Sequence, residues 1–441
     1  MSVIDLFRTQ PGEAAAARKP AIYAALDLGA AKTVCFIART EPTLAGLRPR
    51  VIGVGHVSTK GVRAGAVVDM EAAAASIRAA VDNAERMAGQ TVSELHISSA
   101  CGGLSSTRIA VDMDLDQREV RDRDLRRIIH EAAGVFDEPG RTILHALALS
   151  WRVDGHRGVR DPRAMVGEVL GVDLHLVSCA ADPLHNLAAC VEKAGYSVAG
   201  VAATPYVSGL AALTRDELEL GVMVLDLGAQ MTSLAVFAEG VLQHVDAMPV
   251  GGAHVTSDIA RGLSTPMSAA ERIKALNGSA LDSPEDDQVM IEAPPLSGGP
   301  SSTMTQHPRA LLNAIVRPRL EEIFEMARDR VKLADAASAA GRGLVLTGGA
   351  AQMPGIAQLA GRVMSKQVRL GRPETLNGLG DAVSGPAFSA CAGLIQRAVH
   401  GPGEALAGLP RMLTPADRQR RAHTPGERGP AAVWRWFAES F

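Results

Sequence analysis

The residues best placed to do chemistry come in two matching sets, Asp27-Leu28-Gly29-Ala30 and Asp226-Leu227-Gly228-Ala229, each ending an identical pentapeptide about 200 positions from its copy. Each set follows an apolar run (AIYAA, VMV) and precedes a β-prone run (TVCFIA, TSLAVF), the pattern of strand, glycine turn, strand. Glycine permits positive φ and has no Cβ, so successive N–H groups can converge on phosphate oxygens. The aspartates, Asp27 and Asp226, can hold water around Mg²⁺. A lone Asp-Leu-Gly is an ordinary turn, but two copies in matching contexts can face one another and clamp a nucleotide's phosphates. A third set, Leu344-Val345-Leu346-Thr347-Gly348-Gly349, is a buried-strand pattern ending in two glycines before a helix. It is either a structural strand-to-helix turn or a place where ribose or purine lies against bare backbone.

Other chemistries find little support. The 12 histidines include no H-E-x-x-H pair, and no Ser-His-Asp or Cys-His arrangement can be argued. Cys35, Cys101, Cys179, Cys190 and Cys391 are odd in number and widely spaced, without a C-x-x-C pair, which points away from a disulfide framework or zinc site and toward a reducing cytosol. Lys plus Arg number 45 against 48 Asp plus Glu, a net charge of −3, so no general positive field recruits nucleic acid. Hydrophobic residues at 47% and charged residues at 21% fit a folded globular chain. The start lacks a secretory apolar stretch and no run of about 18 apolar residues occurs, so the expectation is a chain neither exported nor membrane-spanning.

The elements that must position these residues form two related α/β halves. A tail over 1–20 precedes the first half, 21–103, with strands expected at 21–28, 33–39, 51–58 and 93–99. A helix over 69–88 is capped by Asp69. Residues 104–180 break the rhythm with strand TRIAVDMD, charged helix REVRDRDLRRIIHEAAG and further strands, a small inserted α+β subdomain. The first half resumes over 181–218 with a helix capped by Asp182. The second half spans 219–400, with an outer subdomain at about 255–335. There, Ser268 and Glu271 sit at capping-box spacing, VMI near 290 reads as a short strand, and Pro318 demands a kink or break in a long helix.

The chain ends differently. Residues 401–430 are a Pro/Gly/Arg-rich linker, and 431–441 hold Trp434, Trp436, Phe437 and Phe441 in a sequence that is only 3% aromatic. On a helical wheel, Val433 joins these four on one face, with Arg435 and Glu439 opposite. Eleven residues are marginal as a free helix in water. Such a segment folds on a surface, either the protein's own core or, with a long linker, an anionic membrane interface.

Asp-x-Gly in a first hairpin, its repeat, and the later Thr-Gly-Gly strand end resemble the actin, sugar-kinase and heat-shock ATPase superfamily. Within it, GVRAGAVVDMEAAAASIRAAV, MPVGGAHVTSDIARGLSTPMSAAERIKALNGS, VLTGGAAQMPGI and the aromatic end are similar to FtsA, the bacterial cell-division family. The resemblance implies an actin-like fold of duplicated RNase H-like halves with an insert in the first. It implies ATP and Mg²⁺ as ligands, Asp27, Gly29, Ala30 and Lys32 on a first phosphate loop, and Asp226, Gly228, Ala229 and Thr232 on a second. Glu271 and Lys274, unaided an ordinary solvated pair, would flank purine and ribose; Thr347, Gly348 and Gly349 would form the adenosine loop. Implied partners are the FtsZ C-terminal peptide, further copies of itself in filaments, later division proteins and the inner face of the cell membrane at the septum. Ala30 and Ala31 replace the family's usual hydroxyls, Ala229-Gln230-Met231-Thr232 replaces a Gly-Gly-Thr-Thr-like stretch, and Thr204-Pro205 stands where Glu-Pro is common. These departures point to a binding switch with at most slow ATP turnover. The rivals are a small-molecule kinase of the same fold and an actin-like adaptor of a pilus or secretion system.

Overall fold

The two pentapeptides fold as matching hairpins. Ile22–Leu28 pairs antiparallel with Lys32–Thr43, and Val222–Leu227 with Thr232–Ala238. In each, the turn glycine donates its N–H to the carbonyl three residues on, Gly29 to Lys32 at 3.0 Å and Gly228 to Met231 at 2.9 Å. A third antiparallel strand follows each hairpin, Gly46–Ser58 in the first half and Val241–Met248 in the second. Crossovers then place two parallel strands on the other side of the opening strand: Glu94–Ser99 and Ser197–Ala203 in one half, Gly343–Thr347 and Gln367–Leu370 in the other. The two five-stranded sheets thus share one strand order. This computed structural model describes residues 21–43, 46–101, 103–296, 303–373 and 376–400. The expected tail, the linker and the helix carrying Val433, Trp434, Trp436, Phe437 and Phe441 lie outside the described residues.

Period-2 alternation explains how the second sheet serves two cores. Val222 and Val224 belong to a core shared with the first half, whereas Met223, Leu225 and Leu227 join the outer helices in another. Asp226 therefore lies on the face turned toward the first half. The outer helices are Gly252–Gly262, Met267–Asn277 and Arg309–Leu333, with the hairpin of Met290–Ala293 and Thr305–Pro308. The long helix runs through Pro318 without the anticipated interruption.

In the first half, Met70–Ala88 is capped as expected, the Asp69 carboxylate accepting from the Glu71 and Ala72 N–H groups at 3.1 Å. Two other expected caps fail. Helix Ala181–Lys193 starts after Ala180, leaving Asp182 inside the first turn, and Met267–Asn277 starts after Pro266, leaving Ser268 inside.

Between Glu94–Ser99 and Ala181–Lys193 stands a separate four-stranded sheet of Ser105–Glu119, Arg141–Val153, His156–Val159 and Val166–Ala180, backed by helix Asp122–Gly134 around Leu115, Ile128, Leu170 and Leu174. The helix is shorter than the charge pattern suggests. Arg118 grips Asp124 at 2.6 and 2.7 Å, and Asp124 accepts from the Arg121 N–H, so residues up to Glu119 finish a strand. The insert leans on the second half: His175 Nδ1 meets the Leu242 carbonyl at 2.9 Å, and Ser106 and Val245 exchange hydrogen bonds.

Helices Thr204–Ala212 and Ser389–His400 lie between the two sheets, with Val207 and Leu394 in the shared core. They touch closely because of Gly393, where a Cβ would stand 1.8 Å from the Val207 carbonyl oxygen. No helix among the described residues is long and apolar enough to cross a membrane.

Candidate functional site

The turns of the two hairpins open onto one cleft of about 530 Å³ between the halves. Asp27, Gly29, Ala30 and Lys32 line it from the first hairpin, and Asp226, Gly228 and Ala229 from the second. Glu271, Lys274, Gly348 and Gly349 complete that wall from the outer helices and the fourth strand of the second sheet.

Within the cleft the two aspartates are held differently. Ser98, on the neighbouring parallel strand, donates its hydroxyl to Asp27 Oδ1 at 2.5 Å. Ser208, on the helix between the sheets, donates to Asp226 Oδ2 at 2.6 Å, and the Thr347 hydroxyl reaches the same oxygen at 3.2 Å. Burial raises the Asp226 carboxyl to about 6, helped by the Asp27 charge and opposed by the Ser208 and Thr347 bonds and by Lys32. Lys32 stands nearby with its ammonium on the Ala387 carbonyl and 4.1 Å from the centre of the Phe388 ring. Burial lowers its pKa, while Asp27 and Asp226 pull it back up. The pocket end thus pairs two carboxylates with one desolvated ammonium, a setting whose charge balance a hydrated Mg²⁺ and phosphates could complete. Asp27 and Asp226 both line the cleft, one from each hairpin, and carboxylates so placed fit the holding of water around a divalent cation.

Further along, Lys274 donates to the Gly252 carbonyl at 3.0 Å, to the Thr256 hydroxyl at 2.8 Å and to the Glu271 carboxylate at 2.7 Å, and Thr256 also donates to Glu271. The pair is not a plain solvated one: the Lys274 side chain is 13% exposed and pinned beneath the start of helix Gly252–Gly262. Because the helix starts after Pro266, Glu271 lies beyond the third helical position and caps nothing. At the fourth strand's end, Gly348 takes φ 86°, and a Cβ there would lie 2.4 Å from the Leu227 carbonyl oxygen, so only glycine lets the loop pass over the second hairpin.

Two expected residues sit behind the wall rather than in it. Thr232 is fully buried with its hydroxyl donating to the Val250 carbonyl, and Thr347 is buried against Asp226. Residues missed from the sequence are Ser98, Ser208, Thr256 and Gln230; of these, Thr256 and Gln230 lay within motifs already singled out, whereas the serines are brought in by strand and helix packing with no local signal. Gln230 crosses to the other half, accepting the Ala64 N–H at 2.8 Å. Thr204 lines the cleft, and its carboxylates among the described residues are Asp27, Asp226 and Glu271.

Two duplicated sheets around such a cleft define an actin-like α/β protein. Solved structures agree: a chain of the PilM-PilN type IV pilus biogenesis complex superposes with TM-score 0.61 at 16% identity, covering 86% of this chain and 98% of that one. MreB5 of Spiroplasma citri bound to ADP superposes with TM-score 0.51 at 13% identity, covering 86% and 97%. The family model for cell division protein FtsA matches residues 223–393, and that for the SHS2 domain inserted in FtsA matches 102–178. Cell division protein FtsA of Rhizobium meliloti is 43% identical over 381 residues, 85% of this chain and 86% of the relative. The chain belongs to the FtsA family of cell division proteins.

Proposed function

We propose that the cleft binds ATP with Mg²⁺, that the bound chain self-associates into actin-like filaments, and that these tether the FtsZ ring to the cytoplasmic face of the inner membrane at the septum through the C-terminal amphipathic helix. The observation that carries the reading is the pair of hairpin turns, Asp27 to Lys32 and Asp226 to Met231, presented to one cleft in a member of this family. In this reading, Lys32 and the glycine turns hold phosphates, Asp27 and Asp226 orient water on Mg²⁺, and Lys274 with Glu271 bounds the ribose and purine against Gly348 and Gly349. Mg²⁺ would supply charge neutralisation for the phosphates.

Turnover is slow in this account. Ala30, Ala31 and Ala229 offer no hydroxyl to the phosphates, and Thr204 lacks a carboxylate to orient an attacking water. The chain would then act as a binding switch that recognises the FtsZ C-terminal peptide through the outer subdomain near 255–335 and later division proteins through the insert. Calorimetric titration with MgATP tests the site, run beside a multiple-turnover phosphate assay. Saturable binding with phosphate release near background supports the reading; no binding, or rapid turnover, sinks it.

A further inference from the structure

The first half sends one short hairpin toward the second: Val62–Arg63 pairs with Ala66–Val67 around the two-residue turn Ala64-Gly65. Both turn residues have positive φ, 47° and 77°, the twist that matches a tight hairpin. In such a turn the N–H of the first central residue points away and has no partner within the hairpin. The turn is also fixed from behind, since a Cβ on Gly65 would stand 3.2 Å from the Cys101 Cα. Gln230 supplies the missing acceptor from the other side of the cleft, its Oε1 taking the Ala64 N–H at 2.8 Å. Gly65 and Gln230 both line the cleft beside Gly29 and Gly228. The side chain that departs most in size from the glycine and threonines usual in this loop is therefore the one that reaches the opposite half.

We propose that Gln230 is a positioning residue, a strap that ties the second phosphate loop to the first half's Ala64 hairpin and holds the cleft closed over the phosphates of a bound nucleotide. This rests on the nucleotide reading above. Release requires the halves to part, which breaks the bond, so the strap slows release; entry takes place with the strap undone and is little affected.

The test uses the full chain and two variants. Gln230→Met keeps the length and packing but removes the acceptor; Gln230→Glu restores an acceptor. Without nucleotide, hydrogen exchange in fragments spanning residues 62–67 should quicken at the Ala64 amide in Gln230→Met and return to the wild-type rate in Gln230→Glu. With a fluorescent ATP analogue and Mg²⁺, stopped-flow release from Gln230→Met should be about fivefold faster, the scale of one net hydrogen bond, with association unchanged. MgATP should leave the Ala64 amide of the wild type at least as protected as before. Binding by the wild type with release from Gln230→Met unchanged, or loss of Ala64 protection on adding MgATP, overturns the strap alone. Wild type that binds no analogue overturns the nucleotide reading and the strap with it, while the exchange comparison still reports whether the bond exists.

Discussion

Asp226 is where the fold's stability and its proposed ligand should conflict most measurably. Without Mg²⁺, its carboxyl is displaced from the ordinary 3.8 to about 6, chiefly by burial and then by the facing Asp27. At about 1.4 kcal/mol per pH unit, the ionised form costs the folded state about 3 kcal/mol at pH 8. The sign follows from proton binding: between pH 3.8 and about 6 the folded chain holds more protons than the unfolded one, so this group lowers stability as pH rises through that window and its cost is constant above it. Asp226→Asn removes the charge and keeps an oxygen to accept from Ser208 and Thr347. Scanning calorimetry of nucleotide-free protein should show the variant more stable at pH 8 by up to about 3 kcal/mol, a rise on the order of 5 °C in Tm. The advantage should shrink toward zero near pH 4. MgATP affinity should fall in the same variant. A variant less stable than wild type at pH 8, or an advantage that does not depend on pH, refutes the reasoning.

Gly393→Ala should lower stability by about 2 to 3 kcal/mol, because its methyl would press on the Val207 carbonyl between the two packed helices; thermal unfolding reads it directly. Gly348→Ala should abolish detectable MgATP binding by forcing the loop off the Leu227 backbone, which equilibrium titration would show. His175 is held neutral by burial, its pKa lowered to about 3, so the unfolded chain takes up a proton that the folded one refuses as pH falls below 6.5. The contact between the insert and Leu242 should therefore loosen on acidification, with the protection factors of the amides in residues 241–248 falling below pH 6, and His175→Gln, which keeps a donor without titrating, should suppress that fall.

What the sequence made legible follows from how local each signal is. The duplicated pentapeptides announce the two hairpins and the two related α/β halves because strand, turn glycine and strand are contiguous, the actin-like class following from the family resemblance, and Asp69 is a readable cap because its partners are two and three residues away. Asp182 and Ser268 do not cap because the chain enters those helices from a preceding strand and from Pro266, and Glu271 finds its partners in Thr256 and Lys274. Ser98 and Ser208 carry no local signal: they meet their aspartates across sequence separations of 71 and 18 residues respectively. Thr232 and Thr347 were legible as belonging to their loops, but their burial depends on the pleat of a sheet whose register no short motif states.

Whether the protein is a nucleotide-responsive membrane tether is decided by co-sedimenting the pure chain with anionic liposomes, with and without MgATP, beside a chain ending at residue 430. In the proposed reading the aromatic side chains expected on one face of the C-terminal segment would bury at about 1.5 to 3 kcal/mol each, and linked copies would rebind at high effective concentration. Only the full chain should pellet, and MgATP should change the amount. Equal pelleting by the shortened chain, or a full chain that stays in solution under both conditions, would contradict it.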